Sequence, residues 1–219
     1  MKFREVLMSL LLFSAVILVL SCATSFTRVN VSAPKDFELS NKPVDKKIPL
    51  RAALYIDQQV KVYEYVGQPL IEPGKIFLGD CIASGCERTL KNIFNDVIIL
   101  DSMADDSWSG RADVLVRAEK IKMVLLNKPK KDSILFHNVI QTSMKWNILN
   151  PQNSELYTNV IVSEEESKPV YGFTVSGLEE GMRNHLFAQL RVQFQKTQEE
   201  IYSSGWWKEY LAETKETKK

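Results

Sequence analysis

The stretch Ile134-Leu135-Phe136-His137-Asn138-Val139-Ile140-Gln141-Thr142-Ser143-Met144-Lys145-Trp146-Asn147-Ile148-Leu149 decides the fold class. Ile140, Thr142, Met144, Trp146 and Ile148 recur at every second position, with Gln141, Ser143, Lys145 and Asn147 between them. A period of two marks a strand with one face buried and the other in water. A second long strand candidate, Ala112 to Leu126, precedes it across Asn127-Lys128-Pro129-Lys130-Lys131-Asp132, and the two read as a half-buried antiparallel hairpin. The turn Asn150-Pro151-Gln152-Asn153-Ser154 returns the chain into Leu156 to Val162. A solvated turn at Glu164-Glu165-Glu166 then leads to a further extended stretch, Val170 to Val175.

Upstream of the hairpin, Leu50 to Asp57 and Val60 to Val66 read as two strands about a short Asp57-Gln58-Gln59 turn, and Lys75 to Leu78 as a third after Pro73-Gly74. Asp80 can cap a helix through Asn95, in which Ile82, Cys86, Leu90 and Ile93 or Phe94 keep a spacing of three to four; Gly85 weakens it. Val97 to Leu100 is a compact apolar strand, followed by a polar loop, Asp101 to Gly110, that carries Trp108.

Downstream, Ser176-Gly177-Leu178-Glu179 has the form of a capping box, in which hydroxyl and carboxylate satisfy free amides at a helix start. Leu178, Met182, Leu186, Leu190 and Phe194 recur at every fourth position, with Ile201 on the same face. This helix should end near Gly205, leaving Trp206-Trp207-Lys208-Glu209-Tyr210-Leu211 and a charged tail. The whole order predicts an α+β fold, a mainly antiparallel sheet with two helices packed on one face.

The N-terminus has a different character. Lys2 and Arg4 stand ahead of an unbroken run of apolar and small residues from Val6 to Leu20, which is the layout of an export signal. A spanning helix needs about 20 apolar residues, and this run is shorter. It closes on Val19-Leu20-Ser21-Cys22, which resembles the lipobox of bacterial lipoproteins: aliphatic, variable, small, cysteine. The resemblance implies cleavage before Cys22 and diacylglycerol on its thiol; the alternative is an ordinary secreted protein with a chance cysteine. Ala23 follows, with no aspartate at that position, which by resemblance to enterobacterial sorting implies the outer membrane. Residues 1–21 are thus a signal peptide, 22–49 a polar tether with Pro34, Pro43 and Pro49, 50–211 one domain and 212–219 a charged tail.

Removal of residues 1–21 takes away Lys2, Arg4 and Glu5, so 28 basic and 27 acidic residues become 26 and 26. A near-neutral chain without a basic stripe argues against nucleic acid as a partner. Cys81 and Cys86 would meet an oxidising compartment after export. Five residues apart on a helix they lie about 140° round the axis and too far apart to bridge, so they are expected as free, partly buried thiols. A disulfide requires the helix to begin after Cys81, and the C-x4-C spacing without a nearby histidine is weak as a metal site.

Chemistry is sparse. The chain contains no Gly-x-Ser-x-Gly, His-Glu-x-x-His, phosphate-binding glycine loop or dinucleotide fingerprint. His137 and His185 have no evident nucleophile partner, and Asp101, Asp105 and Asp106 read as a solvated loop more readily than as a cation site or an acid and base pair. The chain is therefore read as non-enzymatic, with no metal and no cofactor beyond lipid on Cys22. Trp108, Trp206 and Trp207 are large apolar groups in segments that should be exposed, and tryptophan is enriched where partners bind. The competing reading folds Trp206 and Trp207 back onto the sheet edge to finish the core, and for Trp108 plain packing is the favoured reading.

The order of elements from Leu50 to Ser204, with the runs Ala112-Asp113-Val114-Leu115-Val116 and Tyr171-Gly172-Phe173-Thr174-Val175-Ser176-Gly177, resembles small outer-membrane lipoproteins of the YajG type, and more loosely the LptE lipoproteins of lipopolysaccharide assembly. That resemblance implies a lipid-anchored accessory or scaffold that binds another envelope protein. The alternative is a lipid-binding, lipopolysaccharide-binding or outer-membrane assembly lipoprotein, for which Lys128-Pro129-Lys130-Lys131 is the candidate basic cluster. A glycan ligand stays open beside these, and a hydrolase built on Asp105 or Asp106 is the remaining option.

Overall fold

The computed structural model describes residues 43–66, 75–103, 108–129, 136–168 and 175–216. In chain order the elements are β1 (Ile48–Ile56), α1 (Gln58–Lys61), β2 (Glu64–Val66), β3 (Lys75–Phe77), α2 (Gly79–Ile93), β4 (Phe94–Leu100), β5 (Val114–Pro129), β6 (Phe136–Leu149), β7 (Leu156–Lys168), α3 (Val175–Ser203) and α4 (Trp206–Glu216). Five strands form one sheet in the order β4-β1-β5-β6-β7, and β2 pairs β3 in a separate two-stranded sheet. The fold is α+β, but the sheet is mixed. β1 runs parallel to both β4 and β5, whereas β5, β6 and β7 form an antiparallel meander. The expectation of a mainly antiparallel sheet is corrected at β1, because parallel neighbours need crossovers that leave no trace in the period of a strand.

The reason β1 accepts two parallel neighbours lies in its residues. Ile48, Leu50, Ala52, Leu54 and Ile56 belong to the main core, and Ala53, with Tyr55 packed beside it, to a second cluster. A strand buried on both sides suits the middle of a parallel pairing. The crossover from β1 to β4 contains α2, whose Ile82, Cys86, Leu90 and Ile93 join the main core. The crossover from β4 to β5 carries Trp108, which packs with Ala53, Leu100, Ala112 and Leu115.

Several local expectations change. The strand expected over Val60 to Val66 is instead the short helix α1 followed by three-residue β2, because the Asp57 carbonyl accepts N–H groups of Val60 and Lys61 at 2.9 and 3.1 Å and winds the chain. Helix α2 starts at Gly79 and ends at Ile93, with Leu78 at its N-cap, so Asp80 lies in the first turn and caps nothing. Strand β4 begins at Phe94 and β7 runs through Lys168, which places the acidic run Glu164 to Glu166 in a strand rather than a turn. Helix α3 begins at Val175, so Ser176 stands inside it and not at a cap; the stretch expected as extended before it, residues 170–174, lies outside the described residues. After Gly205, whose φ of 76° suits a residue without a Cβ, the supposed tail is a second helix, α4.

The alternation in β6 is as the sequence indicates. Ile140, Thr142, Met144, Trp146 and Ile148 are buried and share the main core with Val160 and Val162 of β7 and Leu186, Leu190, Phe194 and Ile201 of α3. Thr142 is the polar member, and α3 meets it with polar groups. Gln189 donates to its hydroxyl at 3.0 Å, that hydroxyl donates to Gln193 at 2.7 Å, and Gln193 donates in turn to the Val162 carbonyl at 3.1 Å.

Helix α2 meets α3 at Gly85, against the Phe194 ring. A Cβ placed there would overlap the Phe194 ring, which is fully buried. On an exposed helix glycine to alanine gains about 1 kcal/mol, but forcing a methyl into a packed core costs about 1 to 3 kcal/mol. Gly85→Ala is therefore expected to lower unfolding stability in urea titrations, and Phe194→Leu in the same chain to return part of the loss. A stabilised Gly85→Ala protein would contradict this packing.

Candidate functional site

Among the ion pairs on the side of the sheet away from the helices, two involve residues of β5. Arg117 grips Asp57 with two bonds, Nε to Oδ1 at 2.9 Å and Nη2 to Oδ2 at 2.7 Å. Asp57 ends β1 and Arg117 sits on β5, so parallel pairing brings together groups 60 residues apart. Next to it Glu119 accepts from Lys145 at 2.6 Å and from Asn147 at 2.8 Å, while Gln59 donates to the Glu119 carbonyl at 2.7 Å. The bond to Asp57 holds the Arg117 guanidinium above its ordinary value against the opposing effect of burial. Hydrogen bonding from Lys145 holds the Glu119 carboxyl below the usual range, again against burial and with help from Asn147. Each carboxylate is matched by a cation, so the cluster braces β1, β5 and β6 and offers no base poised for proton transfer.

The aromatic groups of the C-terminal segment assemble around α4. Trp206 is 7% exposed and belongs to the main core, its ring stacked on Tyr157 with centroids 6.0 Å apart. Tyr210 meets Tyr157 edge-on at 5.5 Å. Trp207 is half-buried: its Nε1 donates to the Tyr202 carbonyl at 3.2 Å, its ring tilts on Tyr202 at 5.9 Å, and the Lys208 ammonium stands 5.4 Å from its centroid. Tyr202 in turn donates from its hydroxyl to the Lys46 carbonyl at 3.0 Å. The end of the chain thus closes on the residues that lead into β1.

The three candidate tryptophans therefore differ. Trp108 is 5% exposed and Trp206 is core, which leaves Trp207 as the one with a partly open ring. Sequence reasoning missed Tyr202 and Tyr210; Trp206 and Tyr210, four apart on α4, share a helical face, whereas Tyr202 lies across the bend at Gly205. It also missed an exposed apolar set on the small sheet, Val66 at 64% and Phe77 at 46%, beside Val62 at 58%. Cys22 and the pair Asp105 and Asp106 lie outside the described residues; Asp101 is exposed just past β4. His137 stands in β6 opposite Lys128 and His185 is buried on α3, so the histidines are on different elements. Among the described residues no group of three or more His, Cys, Asp or Glu could hold a metal ion, and no helix is long and apolar enough to cross a membrane.

No protein-family model and no curated protein matches the chain. Solved structures do. The chain is similar to a minor lipoprotein from Acinetobacter baumannii, at 9% identity and TM-score 0.40, covering 71% of this chain and 91% of that one. It is also similar to the rare lipoprotein B from Shewanella oneidensis, at 12% identity and TM-score 0.44, covering 74% and 98%. A further likeness, at 7% identity and TM-score 0.42, is to a lipoprotein from Caulobacter crescentus, covering 74% and 91%.

Cys81 and Cys86 are free and wholly buried on α2, in agreement with the thiol reading. Burial pushes the Cys81 thiol up to about 12 and that of Cys86 higher still. In the unfolded chain each ionises near its ordinary 9.0. Between those values the unfolded state has released protons that the folded state retains, so stability falls as pH rises from about 9 towards 12. Equilibrium unfolding across this range should show that decline, Cys81→Ala should reduce its slope, and replacing Cys86 as well should reduce it further; a thiol reagent at pH 8 should label neither cysteine until the protein is unfolded.

Proposed function

We propose that this chain is an envelope lipoprotein, cut before Cys22, held in the outer membrane by lipid on that cysteine, with its domain in the periplasm. It acts without catalysis, as an accessory or scaffold that binds another envelope protein. The observation that carries the reading is Val19-Leu20-Ser21-Cys22 at the close of a single apolar run. Each methylene of an attached acyl chain contributes about 0.8 kcal/mol to membrane binding, so several chains hold a protein durably without any spanning segment. The matched ion pairs around Asp57 and Glu119 support a role in binding rather than in acid and base chemistry. The partly open Trp207 ring, with Lys208 over it, is the anchor proposed for the partner.

A second reading, recognition of a lipid or lipopolysaccharide headgroup, is favoured by Lys120 and Lys122, both exposed on β5 with Lys145 opposite Lys120 on β6. One experiment separates the two. The tagged protein is crosslinked in cells and its co-purifying molecules are identified, beside Cys22→Ala and Trp207→Ala variants. Radiolabelled palmitate should enter the parent and not Cys22→Ala, and one dominant envelope protein should be lost in Trp207→Ala while the fold persists. Retained lipid without a protein partner would transfer the function to the lysine face. Palmitate on Cys22→Ala would overturn the anchor.

A further inference from the structure

The sheet order leaves two edge strands, β4 and β7. An edge presents unpaired N–H and C=O groups, and proteins ordinarily blunt it with charge, proline, a bulge or shortness. Strand β4 is seven residues long and carries exposed Asn95 and Asp96. Strand β7 is thirteen residues long, and its pairing with β6 runs without a shift from Thr158 to Lys168. From Leu156 to Ser163 it contains no charged residue and no proline; its charges, Glu164, Glu165, Glu166 and Lys168, are confined to the far end. Within the uncharged half Ile161 is 62% and Leu156 52% exposed. Isoleucine at that exposure on a long, regular edge is what a neighbouring strand would bury.

We propose that β7 is a self-pairing edge, on which a second copy of this chain adds its own β7 antiparallel about a two-fold axis through Ile161. The choice of occupant follows from the distribution of charge along the strand. In that register Ile161 opposes its own copy, Val160 opposes Val162, Asn159 opposes Ser163 and Thr158 opposes Glu164. Glu165 then falls across from Tyr157, and Glu166 across from Leu156. The acidic half of each copy thus lies along the uncharged half of the other, so no carboxylate faces a carboxylate. A parallel in-register pairing would stack Glu164, Glu165 and Glu166 on themselves, and like charges directly opposed across a ladder are unfavourable. The antiparallel pairing is isologous and closes after two copies, which removes this edge from further growth. It joins two five-stranded sheets into one, near the upper size of twisted open sheets of about ten strands.

The register makes the test specific. The protein is expressed from its full gene, purified in mild detergent, and examined by light scattering and by oxidative crosslinking on non-reducing gels. A dimer is expected, with Ile161→Lys weakening self-association at least tenfold while each copy keeps its native circular dichroism. Ile161→Cys should give a disulfide-linked dimer, since position 161 faces itself, whereas Thr158→Cys should not, since it faces position 164. Cys81 and Cys86 are buried and will not interfere. A monomer at every concentration, or a dimer that survives Ile161→Lys and fails to crosslink at Ile161→Cys, would overturn the proposal.

Discussion

The C-terminal half of strand β1, Ala52 to Ile56, has to be covered on both of its faces, and the rest of the architecture answers that requirement. Ala52, Leu54 and Ile56 point into one cluster and Ala53 into the other, so an exposed β1 would leave apolar area in water on two sides. Neighbours are therefore needed in the sheet plane as well as above and below it. Parallel β4 and β5 supply the first. Their crossovers supply the second: α2 carries Ile82, Cys86 and Leu90 to one face, and the segment before β5 brings Trp108 to the other. Burial of a large apolar side chain contributes about 1.5 to 3 kcal/mol, so Trp108 is explained by the face it closes.

Helix α3 completes the helical layer under a second constraint. Its inward side is mixed: Leu186, Leu190, Phe194 and Ile201 are buried, but so are Gln189, Gln193 and Thr197. Buried amides without partners would cost about 1 to 3 kcal/mol each. The Thr142 hydroxyl, receiving from Gln189 and giving to Gln193, meets most of that cost, and Thr197 returns its hydroxyl to the Gln193 carbonyl at 2.9 Å. Apolar contacts tolerate a slide of the helix, whereas these bonds do not. The polar seam fixes the position of α3 along β6 and β7, and Gly85 fixes how near α2 comes to it.

What was legible in the sequence was periodicity. The alternation of β6 and the four-residue repeat of α3 were strong because each element buries one face, and period reports burial. Strand direction was not legible: Ala52 to Ile56 is apolar on both sides, a pattern that gives no hint of which neighbours it takes. Helix α1 was hidden because four residues are too few for a period, and its cause is the Asp57 carbonyl in a turn. The capping box at Ser176 has the right letters inside a helix that starts earlier, since local hydrogen-bonding chemistry does not exclude a longer helix set by tertiary packing. The ion pair of Asp57 with Arg117 spans 60 residues and depends on the parallel register, so no local reading reaches it. Of the candidate tryptophans, sequence reasoning favoured packing for Trp108 and left Trp206 and Trp207 open between packing and a binding surface; Trp108 and Trp206 are packed, and Trp207 keeps an open side.

Helix α4 shows how the last residues of a chain can act on its first. Trp206 and Tyr210 seat the helix on Tyr157 of β7, while Tyr202 and Trp207, across the bend at Gly205, hold the Lys46 carbonyl and each other. Ahead of β1 the chain is held twice: the Val44 N–H donates to the Asn92 carbonyl at 3.4 Å, and the Lys46 carbonyl accepts from the Tyr202 hydroxyl at 3.0 Å. Trp207 is tied to the second of these contacts through the Tyr202 carbonyl and ring, so its half-open ring is fixed relative to the entry of β1.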